Sequence, residues 1–106
     1  MDNSDLDVKA KFLRGFSDKS RLQILESIKN KEKTVSEIVQ DLQGNQSNIS
    51  QHLACLKGCG IIKGRQEGKY MYYSLRDEKV NELLSLFDVV FTQVQSNVDK
   101  CDTHLY

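Results

Sequence analysis

The 106-residue sequence predicts an α+β fold that is mostly α, with four short helices, a two-stranded β-hairpin and a long last helix. Three observations carry that reading. Apolar residues recur at helical spacing in five segments. The period changes once, between 61 and 75, to two short β-type runs around a glycine. The last stripe, Val80 to Val98, is longer than a domain of this size can cover by itself.

Leu6 to Phe16 reads as a short amphipathic helix, with Leu6, Ala10 and Leu13 on one side and Phe12 and Phe16 beside them. Ser17-Asp18 is a helix-start signal, and Leu22, Ile24, Leu25 and Ile28 mark a second helix to about Lys29. Asn30 to Lys33 reads as a polar connection. Thr34-Val35-Ser36-Glu37 is a capping box, in which hydroxyl and carboxylate each satisfy an orphan amide. It opens a helix with Val35, Ile38, Val39 and Leu42 inward, broken at Gln43-Gly44. The next helix runs from about Gln46 to Lys57 on the stripe Ile49, Leu53, Leu56, and ends at Gly58 and Gly60. Ile61 to Arg65 and Tyr70 to Leu75 are the β-type runs, joined through Gln66-Glu67-Gly68-Lys69. Asp77 opens the last helix, whose stripe is Val80, Leu83, Leu84, Phe87, Val90, Phe91, Val94 and Val98. Such a stripe on a thin-cored protein predicts a dimer surface.

Composition narrows the function classes. Fifteen basic and fifteen acidic residues cancel, which excludes a polybasic nucleic-acid sponge and an acidic tail protein. The acidic start and the absence of a long apolar run predict a soluble, cytoplasmic protein with no membrane partner. In a reducing compartment its three cysteines are expected to be ligands, reactive thiols or core residues, not a disulfide framework. Neither histidine has a nucleophile and carboxylate at recognisable spacing, and there is no glycine-rich phosphate loop. An enzyme is not expected, and neither is a small-molecule substrate.

Two short helices joined by a tight turn and followed by a basic hairpin describe a winged helix-turn-helix. Gln43 through Leu56 contains no charged residue if histidine is neutral, yet Gln46, Ser47, Asn48, Ser50 and Gln51 are its outward positions. Short amides and hydroxyls suit base edges and phosphates in the major groove of double-stranded DNA, whereas a merely solvated helix would carry Glu and Lys. A protein-interaction module of the same fold would carry acidic or apolar residues there. From Lys57 to Lys69, four basic residues stand against Glu67 alone, a balance of +3. From Asp77 to Tyr106, six acids stand against two bases, a balance of −4. The zero net charge hides a dipolar molecule, and Lys63, Arg65 and Lys69 read either as phosphate contacts or as solvated hairpin charge.

Three blocks, Ser17 to Leu25, Gln46 to Leu53 and Gly68 to Leu75, resemble the ArsR/SmtB family of metal-responsive repressors, in family order and across about residues 6 to 98. The resemblance implies a homodimer paired through helices 6–16 and 77–98, a helix-turn-helix at 34–60, a wing at 61–75 and a tail at 99–106. It implies DNA contact by Gln46, Ser47, Ser50 and Gln51, with Arg65 and Lys69 in the wing. His52 is expected at the inner edge of the reading helix, a hydrogen-bonding core residue and not a ligand.

Family members differ in where the effector binds. One group resembles a cysteine pair at the start of the helix before the reading helix, and here Thr34 to Leu42 contains no cysteine. Another uses Asp and His on the last helix, and here Asp88 has no histidine before His104. There remain Cys55, Cys59 and Cys101. Helical residues four apart differ by about 40° and 6 Å, which sets their Cβ atoms about 5–6 Å apart. A disulfide needs about 3.5–4.5 Å, whereas two thiolates at about 2.3 Å from one tetrahedral metal lie near 4 Å from each other. The spacing favours a metal over a disulfide, although Cys55 beside Leu56 reads equally well as core. The run Cys55-Leu56-Lys57-Gly58-Cys59-Gly60 with a tail cysteine resembles the cadmium- and lead-sensing branch of the family. Three thiolates suit Cd(II) or Pb(II), while Zn(II) would want a fourth ligand, for which His104 is the nearest candidate. The expectation is therefore a repressor released from its operator by a soft metal. The alternative is an As(III)- or thiol-redox-responsive repressor of the same fold.

Overall fold

A computed structural model describes residues 3–100. Its elements, in chain order, are α1 (Asn3–Arg14), α2 (Lys19–Ile28), α3 (Val35–Leu42), α4 (Gln46–Gly58), β1 (Ile62–Glu67), β2 (Tyr70–Leu75) and α5 (Glu78–Lys100). This is the expected winged helix-turn-helix. Cys101, His104 and the rest of the tail lie outside the described residues, as does the side chain of Val98. No helix among the described residues is long and apolar enough to cross a membrane.

Local chemistry explains where the helices start. The Asp18 carboxylate accepts from the Arg21 amide (3.1 Å) at the start of α2. Thr34 and Glu37 form the expected capping box: Thr34 Oγ1 accepts from the Glu37 amide (3.2 Å) and Glu37 Oε1 from the Thr34 amide (2.9 Å). Asn45 caps α4 through the Asn48 amide (3.0 Å), a start signal that the sequence reading passed over. Asp77 does the same for α5, accepting from Lys79 and Val80. The break after α3 falls at Gln43, which adopts a left-handed conformation at φ 51° and returns its amide to the Val39 carbonyl.

The core consists of Phe16, Ile24, Leu25, Ile28, Ile38, Ile49, Leu53, Leu56, Ile61, Ile62, Leu75, Val80 and Leu84. Two expectations need correction. The first helix spans 3–14 and not 6–16, because its end tightens through Gly15 N–H to Phe12 O and Phe16 N–H to Leu13 O; Phe16 enters the core from beyond the helix. No residue of α1 itself is buried. Leu22, one of the four residues that mark α2, is exposed and lies outside its buried stripe of Ile24, Leu25 and Ile28. The connection after α2 is also more ordered than its polarity suggests: Lys33 donates to the Tyr73 carbonyl (3.0 Å) and accepts from its amide (2.7 Å). That bridge adds the loop to the wing as a third, one-residue strand.

The wing pairs antiparallel from Ile62 with Leu75 to Glu67 with Tyr70, around a two-residue turn in which Gly68 takes φ 60°. On α5, Val80 and Leu84 enter the core and Leu83 and Phe87 pack against it. Beyond them Leu86, Val89, Val90, Phe91 and Val94 are exposed, as are Leu6, Val8 and Leu13 of α1. Phe16 stands edge-on to both Phe12 and Phe87 at 5.4 Å, which joins the segment after α1 to α5.

Gly15 is required by space. A Cβ there would lie 2.4 Å from Ile61 Cδ1, which is fully buried, and 3.2 Å from the Phe12 carbonyl. Gly58 has nothing within 4 Å of its Cβ position. Gly15→Ala is therefore expected to cost about 1–3 kcal/mol by overpacking, while Gly58→Ala is neutral or gains up to about 1 kcal/mol. Urea denaturation midpoints of the two variants check this, and equal midpoints would contradict it.

Candidate nucleic-acid interface and thiol pair

Helix α4 has two chemically distinct sides. Ile49, Leu53 and Leu56 are buried, while Gln46, Ser47, Ser50 and Gln51 are all exposed. The side-chain amides and hydroxyls of these four make no hydrogen bond within the described residues, so their donors and acceptors are available to a ligand. The capped N-terminus places Gln46 and Ser47 in the first turn of the helix.

The three wing cations differ in their surroundings. Lys63 is exposed on β1, and Lys69 sits in the turn with its ammonium 5.5 Å from the Tyr70 ring centroid. Arg65 is engaged. Its Nε donates to Glu32 Oε2 (3.2 Å), Nη2 donates to Glu32 Oε1 (2.5 Å), and Nη1 lies 3.3 Å from Glu67 Oε1. The Glu32 carboxyl is held below the usual carboxylate range, chiefly by that hydrogen bond, and the Arg65 guanidinium is raised by the same contact. Glu32 was passed over as part of a polar connection; no local sequence signal marks a partner 33 residues away.

His52 is half-buried on α4. Its Nδ1 accepts from Arg21 Nε (3.3 Å), and its Nε2 lies 3.9 Å from the Asp18 carboxylate. It is hydrogen-bonded at the inner edge of the helix, though not part of the core. Arg21 also donates to the Arg14 carbonyl at the end of α1 (2.9 Å).

Cys55 and Cys59 are free thiols. Cys55 is exposed, which removes its reading as a core residue; Cys59 is half-buried and packs against the core. Cys59 is the cap of α4, still right-handed at φ −85° and ψ −3°, with its amide bonded to the Cys55 carbonyl (3.0 Å). Helical spacing therefore persists through both residues. Two soft donors one turn apart fit two ligands of a thiophilic ion. Among the described residues no third Cys, His, Asp or Glu joins them in a metal-sized group. The expected third ligand, Cys101, lies outside the described residues.

The sequence that builds α2, α3 and α4 matches a known family. The pattern of bacterial regulatory proteins of the arsR family fits residues 18–63, from the cap of α2 into β1. A probable mercury resistance operon repressor of Streptomyces lividans is 34% identical over 95 residues, covering 90% of this chain and 76% of that one. This chain belongs to the arsR family. A cadmium resistance regulatory protein CadC homolog of Staphylococcus aureus is 37% identical over 76 residues, covering 71% of this chain and 63% of that one. Among solved structures, the homodimeric winged helix-turn-helix DNA-binding domain of a possible ArsR-family regulator from Mycobacterium bovis superposes with a TM-score of 0.77 at 28% identity, covering 97% of this chain and 91% of that one. These arsR-family relatives are transcriptional regulators and not enzymes.

The unequal exposure of the thiols has a direct consequence. In the native protein Cys55 is expected to alkylate with iodoacetamide several-fold faster than Cys59, the two rates converging in urea. Peptide mass spectrometry of timed aliquots checks this, and equal native rates would contradict it.

Proposed function

We propose that this protein is a homodimeric arsR-family repressor that reads double-stranded operator DNA with α4 and is released by a soft metal ion. The observation that carries the DNA reading is the sidedness of α4, an exposed row of unpaired amides and hydroxyls over a fully buried apolar stripe. Gln46, Ser47, Ser50 and Gln51 are assigned to the major groove, and Lys63 and Lys69 to phosphates. Arg65, grouped with those lysines on sequence grounds, is already held by two carboxylates.

The dimer reading rests on the exposed apolar residues of α1 and α5 and is supported by the homodimeric Mycobacterium bovis domain. Sedimentation at micromolar concentration is expected to give a dimer; a monodisperse monomer would exclude it.

For the effector, Cys55 and Cys59 supply two thiolates and Cys101 is assigned as the third, in cis or across the dimer. Cd(II) and Pb(II) suit this set, with Zn(II) a poorer match. Relatives named for mercury and cadmium resistance support a metal effector. The exposed Cys55 keeps an As(III)- or redox-responsive repressor as the second reading. DNA binding with and without each of Cd(II), Pb(II), Zn(II), As(III) and peroxide separates the two.

Ser47→Ala and Gln51→Ala are each expected to lower discrimination for the operator by about 1–3 kcal/mol. Lys69→Ala is expected to weaken all sequences alike and to lower the salt slope by about 0.9. Titration against operator and random duplexes at several salt concentrations measures both. Operator affinity unchanged in both helix variants would overturn the assignment of α4.

Cys55→Ser and Cys59→Ser are expected to bind DNA normally but resist release, and Cys101→Ser to weaken metal binding or uncouple it. By linkage, DNA must weaken metal binding by the factor by which metal weakens DNA binding. If the Cys55→Ser/Cys59→Ser double variant is released at the wild-type Cd(II) concentration, the thiol site is wrong.

A further inference from the structure

We propose that Glu32 is a positioning residue for the DNA-binding surface: by gripping Arg65 it sets the wing against the helix-turn-helix, so that Arg65 is a strut within the protein and not a phosphate ligand. This rests on the DNA-reading function proposed above.

All three guanidinium nitrogens of Arg65 face carboxylates, two on Glu32 and one on Glu67. Its central carbon lies 5.0 Å from the ring centroid of Tyr72, its cross-strand partner, so a ring face is covered as well. One guanidinium held by two carboxylates, with Lys63 also acting on Glu32, leaves Arg65 no uncompensated charge to offer a phosphate. The other end of the strut is anchored. Glu32 precedes Lys33, whose backbone makes two hydrogen bonds to Tyr73, and the Lys33 ammonium reaches Ser27 of α2 and Asp41 of α3. The loop is thus fastened to both helices and to β2, and Glu32 extends it to β1. Beyond Ile62, which is in the core, β1 is exposed or half-buried, and that is the stretch Arg65 steadies. Surface ion pairs usually contribute little, but a bidentate Arg–carboxylate pair joined to neighbouring charges is the geometry in which they do contribute.

The two roles for Arg65 predict opposite signs. If Arg65 bound phosphate, Glu32 would compete for it, and Glu32→Gln would tighten DNA binding and steepen its salt dependence. As a strut partner, Glu32→Gln is expected to weaken binding about two- to fivefold with the salt slope unchanged. Arg65→Gln is expected to do the same, and the double variant no more than either. Exchanging the charges, Glu32→Arg with Arg65→Glu, is expected to restore affinity, which no phosphate-ligand role allows.

The experiment titrates these variants and Lys69→Gln against a duplex selected from a random pool by the wild-type protein. Amide hydrogen exchange of residues 62–75 is measured in parallel without DNA. Faster hairpin exchange in Glu32→Gln and Arg65→Gln, reversed by the exchange of charges, supports the strut. Tighter binding by Glu32→Gln, or hairpin exchange equal to wild type in both single variants, overturns it. If no duplex is selected, or Lys69→Gln and Ser47→Ala bind as wild type does, the DNA reading fails, while the exchange data still decide whether Glu32 holds the wing.

Discussion

The rest of the molecule depends on the burial of one helix stripe. Ile49, Leu53 and Leu56 seat α4 in the core, with Leu53 and Leu56 almost wholly removed from water. Each such side chain stabilises its buried position by about 1.5–3 kcal/mol. Rolling α4 by one residue, about 100°, would expose leucine and draw Ser50 or Asn48 inward without partners. The inner stripe thereby fixes the direction in which Gln46, Ser47, Ser50 and Gln51 point. Specificity for base edges demands a rigid presentation, and here it comes from apolar packing on the opposite side of the same helix.

That packing leaves apolar surface elsewhere. Among the described side chains of α5 only Val80 and Leu84 are buried, with Leu83 and Phe87 packed against the core, and no residue of α1 is buried. Leu6 and Leu13 of α1 and Val90, Phe91 and Val94 of α5 are left as apolar surface that the single chain does not cover. A chain of this size has too little interior to absorb them. On the proposed dimer reading, a second copy would cover this surface, and pairing would set two α4 helices at a fixed separation for successive major grooves.

The fold was legible because its signals are local. Period, the capping box at Thr34 and Glu37, and the glycine in the wing turn each act within a few residues, and each appears in the structure as read. The misread points involve distant partners. The bridge from Lys33 to Tyr73 and the grip of Glu32 on Arg65 join residues more than thirty positions apart, and a polar loop shows neither. The same limit applied to the candidate site. Exposure of the α4 amides follows from helical period, whereas the engagement of Arg65 does not. The cysteine spacing was readable as geometry, but the choice between core and exposed thiol at Cys55 required the packing around Leu56.

The thiol pair and the reading face share one ridge of α4. Ser47, Gln51, Cys55 and Cys59 follow at intervals of four, each about 6 Å farther along the axis and turned by about 40°. The ridge thus passes from the exposed reading side at Ser47 to the half-buried flank at Cys59. On the proposed reading, an ion held by Cys55 sits one turn from Gln51, so no long route is needed between effector and DNA. The inner edge of the helix offers the second lever. Arg21 joins His52 of α4 to the Arg14 carbonyl that ends α1, a single guanidinium between the reading helix and the helix assigned to the dimer surface. On the proposed reading, a shift of α4 toward a tail-supplied ligand would strain those two hydrogen bonds together, and relieving them would mean moving α1. Metal binding at the end of the reading helix would therefore change how the two subunits face DNA as well as how each one does.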